Sequence, residues 1–295
     1  MALSVYRHLL LSLLLMLVSV SVLAAEKHYT VTAPDGVRLA VQERGDPQGK
    51  PIIFIHGLLG SRLNWEQQLN DPQLQRFRLI TYDLRGHGLS DKPEQEAAYR
   101  DGKRWGEDLA AVIDASRARK PLLVGWSLGG AVITNYLALY GDAGISGALY
   151  VDGVVALTPA LIPAHPEVYR DMTAGDLKTH LDGERAFLRL CFWREPDAAM
   201  FERLLANAAL AAWPMQRAVP SLSVPLEQGL KDVRVPLLFI YGEHDALVRP
   251  QASLKQAARV NPRIQSRLYA HSGHAPFIEE PARFNQDLAR FAGSL

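Results

Sequence analysis

The chain has 295 residues, 48% of them hydrophobic, enough for one large core or for one core carrying an inserted subdomain. Its 32 Lys and Arg nearly cancel its 31 Asp and Glu, and no long run of one sign appears. That balance argues against nucleic acid or an anionic membrane surface as the main partner and does not require a charged substrate.

The first segment stands apart from the rest. Arg7 and His8 precede an apolar run over residues 9–23, and the small residues Ala24 and Ala25 are followed by charged Glu26 and Lys27. A basic start, an apolar stretch and a small-residue cleavage site make residues 1–25 a signal peptide and the mature protein periplasmic or secreted. The alternative is an uncleaved N-terminal membrane anchor, although a spanning helix needs about 20 apolar residues. The single cysteine, Cys191, excludes an internal disulfide and, between Leu190 and Phe192, reads as a buried apolar residue.

After the signal, residues 28–32 and 37–42 flank Asp35-Gly36 and alternate in polarity, which predicts a hairpin. Apolar runs of strand length follow at 52–55, 79–82, 122–124, 148–151, 237–241 and 264–269. Continuous apolarity suits strands covered on both faces, as in a parallel sheet. Helix-like segments at 104–116, 128–140, 251–260 and 281–291 alternate with them, giving a doubly wound, mostly parallel α/β sheet. Residues 154–231 carry no convincing strand and read as an inserted helical cap, leaving 26–153 and 232–295 as the core. Within the cap, Trp193, Trp213 and Met215 either line a substrate pocket or form the cap's own small core.

Gly125-Trp126-Ser127-Leu128-Gly129 lies between a strand and a helix, a G-x-S-x-G turn that holds a serine hydroxyl out at the sheet's edge. An alcohol near its free pKa is a poor nucleophile, so Ser127 needs a base, and the base needs an orienting acid. Nucleophile, acid, histidine is the chain order for this architecture. Only His271 and His274 follow the last strand, and His274, in the small-residue loop Ser272-Gly273-His274-Ala275, is the preferred base. Asp245, just after the strand at 237–241, is the preferred acid; Asp152, at the end of 148–151, is its rival, and Glu243 and His244 read as loop structure. Backbone N–H groups of Leu58 and Leu128 are placed to stabilise an oxyanion, with Gly57 allowing close approach. His56 precedes the nucleophile and reads as a brace for this loop.

His56-Gly57, the turn from Asp83 to Ser90, Gly125–Gly129, Gly242–Asp245 and Gly273-His274 together resemble the α/β-hydrolase superfamily, over nearly the whole chain after the signal apart from the cap. The resemblance implies that Asp83, Arg85 and His87 stabilise a turn. Serine at position 127, where haloalkane dehalogenases and epoxide hydrolases carry Asp, argues against both. No Cys/His grouping with zinc spacing and no phosphate or dinucleotide loop is present, so neither a metal nor another cofactor is expected. The expected activity is hydrolysis of small carboxylic esters through an acyl-enzyme. Lactone opening, carbon–carbon bond hydrolysis, cofactor-free perhydrolysis and a menaquinone-pathway elimination are the alternatives on the same triad. A non-catalytic binding protein of the same fold is the alternative from another class.

Overall fold

The computed structural model describes residues 26–295; the predicted signal segment lies outside the described residues. Eight strands form one sheet: β1 Lys27–Thr32, β2 Arg38–Gly45, β3 Pro51–Ile55, β4 Arg78–Tyr82, β5 Leu122–Trp126, β6 Gly147–Val151, β7 Leu237–Gly242 and β8 Gln265–Tyr269. Their spatial order is β1-β2-β4-β3-β5-β6-β7-β8. β1 pairs antiparallel with β2 and β2 antiparallel with β4; every other pair is parallel. This is the expected mostly parallel α/β sheet.

Composition explains the order. Every residue of β5, β6 and β7 is buried, as uninterrupted runs such as Leu122-Leu123-Val124 require when helices cover both faces. The outer strands β1 and β8 are largely exposed, and polar side chains such as His28, Thr30, Gln265 and Ser266 sit there. Helix α1 (Gly102–Ser116) starts where the Asp101 carboxylate accepts the Lys103 N–H, and it ends at Arg117 in the left-handed region with φ 53°. Helix α2 (Leu128–Tyr140) is buried over its first ten residues, which explains its nearly all-apolar sequence.

Between β6 and β7 the chain forms α3 (Pro166–Met172), α4 (Leu177–Leu190), α5 (Ala198–Ala208), α6 (Trp213–Ala218) and α7 (Leu226–Leu230), with no strand among them. Asp176 and Asp197 cap α4 and α5 through their carboxylates. The cap is tied down beside β7: Arg249 N–H donates to Leu161 O at 2.8 Å, and His165 Nε2 donates to Ala246 O at 2.7 Å. Helices α8 (Pro250–Val260) and α9 (Pro281–Ser294) complete the layers.

The strand order fixes where a site can form. From β3 the chain turns to β4 on one side, and from β5 to β6 on the other. The loops leaving these adjacent strands therefore diverge, and a crevice opens at their carboxyl ends. Gly57 and Ser127 stand there.

Candidate active site

Ser127 joins β5 to α2 with φ 52° and ψ −113°, a conformation side chains rarely adopt. Three main-chain bonds hold it: Ser127 N–H donates to Val151 O, and Ser127 O accepts from Gly130 and Val154, each at 2.9 Å. The glycines on either side are required by space. A Cβ on Gly125 would lie 2.5 Å from Gly129 O, and one on Gly129 would collide with Ile55 O. Ser127 is 8% exposed and opens into a cavity; its Oγ makes no hydrogen bond among the described residues.

The histidine arrives from the far edge of the sheet. The His274 loop lies directly on the loop after β7, so closely that a Cβ on Gly242 would collide with Gly273 O. The Trp126 indole N–H donates to His274 O at 2.7 Å, which binds the histidine loop to the residue preceding the serine. His274 Nδ1 lies 2.8 Å from Asp245 Oδ2, and the two side chains are 1% and 0% exposed. An ionised carboxylate only accepts, so this contact places the imidazole proton on Nδ1 and leaves the lone pair on Nε2. Nε2 is buried without a protein partner, free to receive a proton. Asp245 Oδ1 in turn accepts the N–H groups of Leu247 at 2.7 Å and Val248 at 3.0 Å, which fix the acid.

Leu58 and Leu128 line the cavity beside Ser127. Neither N–H donates to a backbone carbonyl, Leu128 because it opens a helix. A side chain on Gly57 would come to 3.0 Å from Ser127 Cβ and the Trp126 ring, so glycine is what lets this loop lie against the elbow. His56 is a brace: Nδ1 donates to Gly57 O at 2.8 Å, and Nε2 accepts Leu84 N–H at 2.9 Å. Burial lowers its pKa to about 4, so it stays neutral. Asp83 accepts from the Arg62 and Leu89 N–H groups, and Arg85 bridges Asp108 and Asp35, so the turn after β4 is held by ion pairs.

Of the rival residues, His271 is exposed and its N–H donates to Glu280, away from Ser127. Glu243 and His244 are exposed on the loop. Asp152 does not take the histidine, yet it is fully buried next to Asp245.

The cavity measures about 450 Å³. Of its lining side chains only Ser127, Thr158 and Tyr169 carry polar atoms, and none is charged. Trp193, Trp213 and Met215, weighed as pocket or cap-core residues, do not line it. Because Val154 is hydrogen-bonded to Ser127 O, the first cap residues, among them Leu157, Pro159 and Ile162, roof the serine instead. Trp213 stacks on buried His180 at 4.0 Å inside the cap, and Met215 packs against the Gly86 turn. Trp193 is 40% exposed and stacks on His244 at 3.9 Å.

Outside the cavity lining, Trp126 and Glu279 went unread in the sequence. Trp126 sits at the variable position of the serine motif, which carries no signal for its indole bond. Glu279 Oε1 accepts the N–H groups of Trp193 and Arg194 at 2.9 and 3.0 Å, and Oε2 accepts Gly273 N–H at 2.7 Å. It clips the cap to the residue before His274, a long-range contact without a local pattern.

A serine on a strained strand-to-helix turn, a carboxylate-bound histidine and two N–H groups without a backbone partner stand at the switch point of this sheet, the arrangement expected of a hydrolase. Residues 52–287 match the model of the alpha/beta hydrolase family, and the chain belongs to that family as an esterase-like hydrolase. It is 28% identical over 276 residues to the AB hydrolase superfamily protein YisY of Bacillus subtilis, covering 90% of this chain and 99% of that one. It is similar to a Burkholderia cenocepacia protein whose crystal structure is described as that of a candidate aryl esterase, at 68% identity and TM-score 0.90, over 91% of this chain and all (100%) of that one. The esterase RhEst1 of Rhodococcus sp. ECU1013 matches at 28% identity and TM-score 0.83, over 91% of this chain and 99% of that one.

Proposed function

We propose that the protein hydrolyses uncharged carboxylic esters with an apolar acyl or aryl portion, through an acyl-enzyme on Ser127. The observation that carries this reading is that Ser127, Leu58 and Leu128 line one uncharged cavity, while His274 Nδ1 lies 2.8 Å from the Asp245 carboxylate. In the first step His274 Nε2 takes the Ser127 proton as Oγ attacks the acyl carbon. The negative charge that develops on the carbonyl oxygen is met by the two N–H groups, each contributing about 3 kcal/mol. Protonated His274, oriented and stabilised by Asp245, gives its proton to the departing alkoxide or phenoxide. Water then enters, His274 removes its proton as its oxygen attacks the acyl carbon, and His274 returns that proton to Ser127 Oγ as the acid leaves.

The cavity sets the substrate class. A volume of about 450 Å³ holds a small-molecule ester, and an uncharged lining repays no carboxylate or ammonium for its lost water. Aryl esters of short and medium acids fit both conditions. The 68% identical relative described as a candidate aryl esterase supports the same class. A panel of p-nitrophenyl esters from acetate to palmitate tests it: a maximum at short or medium chain length is expected, with charged esters poor. Activity lost on all neutral esters, or kept in full by Ser127→Ala, contradicts it.

We also propose export, on the strength of the basic start, the apolar run over 9–23 and the Ala24-Ala25 site. N-terminal sequencing of the protein from a periplasmic extract should begin at Ala25 or Glu26; a cytoplasmic protein with an intact start contradicts this.

A further inference from the structure

Behind the Asp245–His274 pair lies a second carboxyl that a serine, histidine and acid do not need. Asp152 directly follows β6, has φ 44° and is 0% exposed. Its N–H donates to Ile240 O at 2.8 Å, and its Oδ1 accepts Gly242 N–H at 2.9 Å. The left-handed backbone and the Gly242 bond account for an Asp or Asn at this position, but neither uses Oδ2. Oδ2 is buried with no donor to accept from. One ligating atom each of Asp152, Asp245 and His274 lie within 4.8 Å of one another.

Two ionised carboxylates this close, shielded from water, repel strongly, and such a pair settles by keeping one proton. The acceptor count says where that proton points. A carboxylate offers roughly four lone-pair sites; Asp245 spends two on Leu247 and Val248 and one on His274. One remains, and a carboxyl oxygen of Asp152 lies within 4.8 Å of Asp245, Oδ2 being the Asp152 oxygen with no donor of its own.

We propose that Asp152 is a positioning residue of the site, held as a neutral carboxylic acid whose Oδ2–H donates to the Asp245 carboxylate and limits how firmly Asp245 holds the proton on His274. Loss of water around it, and then the Asp245 charge and hydrogen bond, push the Asp152 carboxyl well above the usual carboxylate range. The Glu279 charge acts in the same direction. The other titratable groups facing it, Tyr241 and Cys191, are buried and pushed up, so both stay neutral. Tyr241 O–H donates to Gly153 O at 2.6 Å and leaves Oδ2 to Asp245. The role rests on the triad reading above; the protonation state does not.

Asp152→Asn decides the matter because Asn reproduces the neutral acid: its oxygen accepts Gly242 N–H and its amide donates to Asp245. The acid limb of its kcat/KM profile should therefore coincide with that of the wild type. Asp152→Ala removes the donor, concentrates charge on Asp245, and should move that limb up by about one pH unit with kcat reduced about tenfold. If Asp152 is instead ionised, Asp152→Asn deletes a negative charge and the limb moves down by about one unit, which overturns the proposal.

Thermal unfolding supplies a readout without turnover. A carboxyl neutral in the fold and ionised when unfolded binds more protons in the folded state, so it makes stability fall as pH rises above about 4. The Tm advantage of Asp152→Asn over wild type should grow steadily from pH 5 to pH 8; a flat or reversed difference overturns the proposal. Should Asp152→Ala fail to fold, the two readouts on Asp152→Asn still decide it. Activity surviving Ser127→Ala would sink the hydrolytic reading and leave the Tm result standing on its own.

Discussion

Replacing Asp245 by Asn should do more damage than losing one negative charge, because the surrounding backbone dictates which way the amide faces. Oδ1 of residue 245 receives two N–H groups, from Leu247 and Val248, at 2.7 and 3.0 Å. Turning an NH2 toward them would leave two buried donors facing a third, at about 1–3 kcal/mol each. The Asn oxygen is therefore held on that side and its NH2 is aimed at His274. Nδ1 must then accept, the ring proton moves to Nε2, and the lone pair that should take the Ser127 proton is gone. Such a locked wrong tautomer removes about four decades of kcat, or about 5.4 kcal/mol. The assay is kcat on p-nitrophenyl acetate at pH 7.5 for wild type and Asp245→Asn, with thermal melts to show that the variant is folded. A folded variant keeping more than a tenth of wild-type kcat would refute this account of the acid.

Three further expectations follow from packing and contacts. A methyl group added at Gly125 meets Gly129 O at 2.5 Å, so Gly125→Ala should lower stability by about 1–3 kcal/mol and dislocate the serine; melts and ester turnover on the same sample check both. Phe187→Ala enlarges the cavity, and the acyl chain giving the highest kcat/KM should lengthen, by about fourfold in relative kcat/KM per methylene newly buried; the p-nitrophenyl series measures the shift. Glu279→Ala strands the N–H groups of Trp193, Arg194 and Gly273, so limited proteolysis should cut the cap faster and kcat/KM should fall; unchanged proteolysis would deny that Glu279 holds the cap.

The core was legible because its strands are apolar without alternation and its site residues sit in short local patterns. Gly125, Ser127 and Gly129 are demanded by one turn, and each can be named from the turn's geometry alone. Asp245 and His274 were readable because each closes a strand-end loop, and the structure brings the two together. The cap was a different matter. Its helices carry amphipathic spacing, but which face meets the serine depends on how the segment re-enters the core at Val154, so the sequence leaves Leu157 and Ile162 unmarked as pocket walls and Trp213 open between pocket and cap core. A large aromatic residue suits a pocket wall or a small core equally well in a sequence, and Trp213 takes the second role, stacked on His180 in the cap interior. Asp152 shows a further limit: the sequence set it against Asp245 as an alternative, whereas the sheet places β6 beside β7 and buries both carboxyls together.

The most direct test of the central claim is covalent. A fluorophosphonate, whose tetrahedral phosphorus mimics the acyl transition state, should label the protein once per chain, and peptide mass spectrometry should locate the adduct on Ser127. Labelling should vanish in Ser127→Ala and slow sharply in His274→Ala. An adduct on another residue, or no adduct in a preparation that turns over p-nitrophenyl esters, would contradict the account.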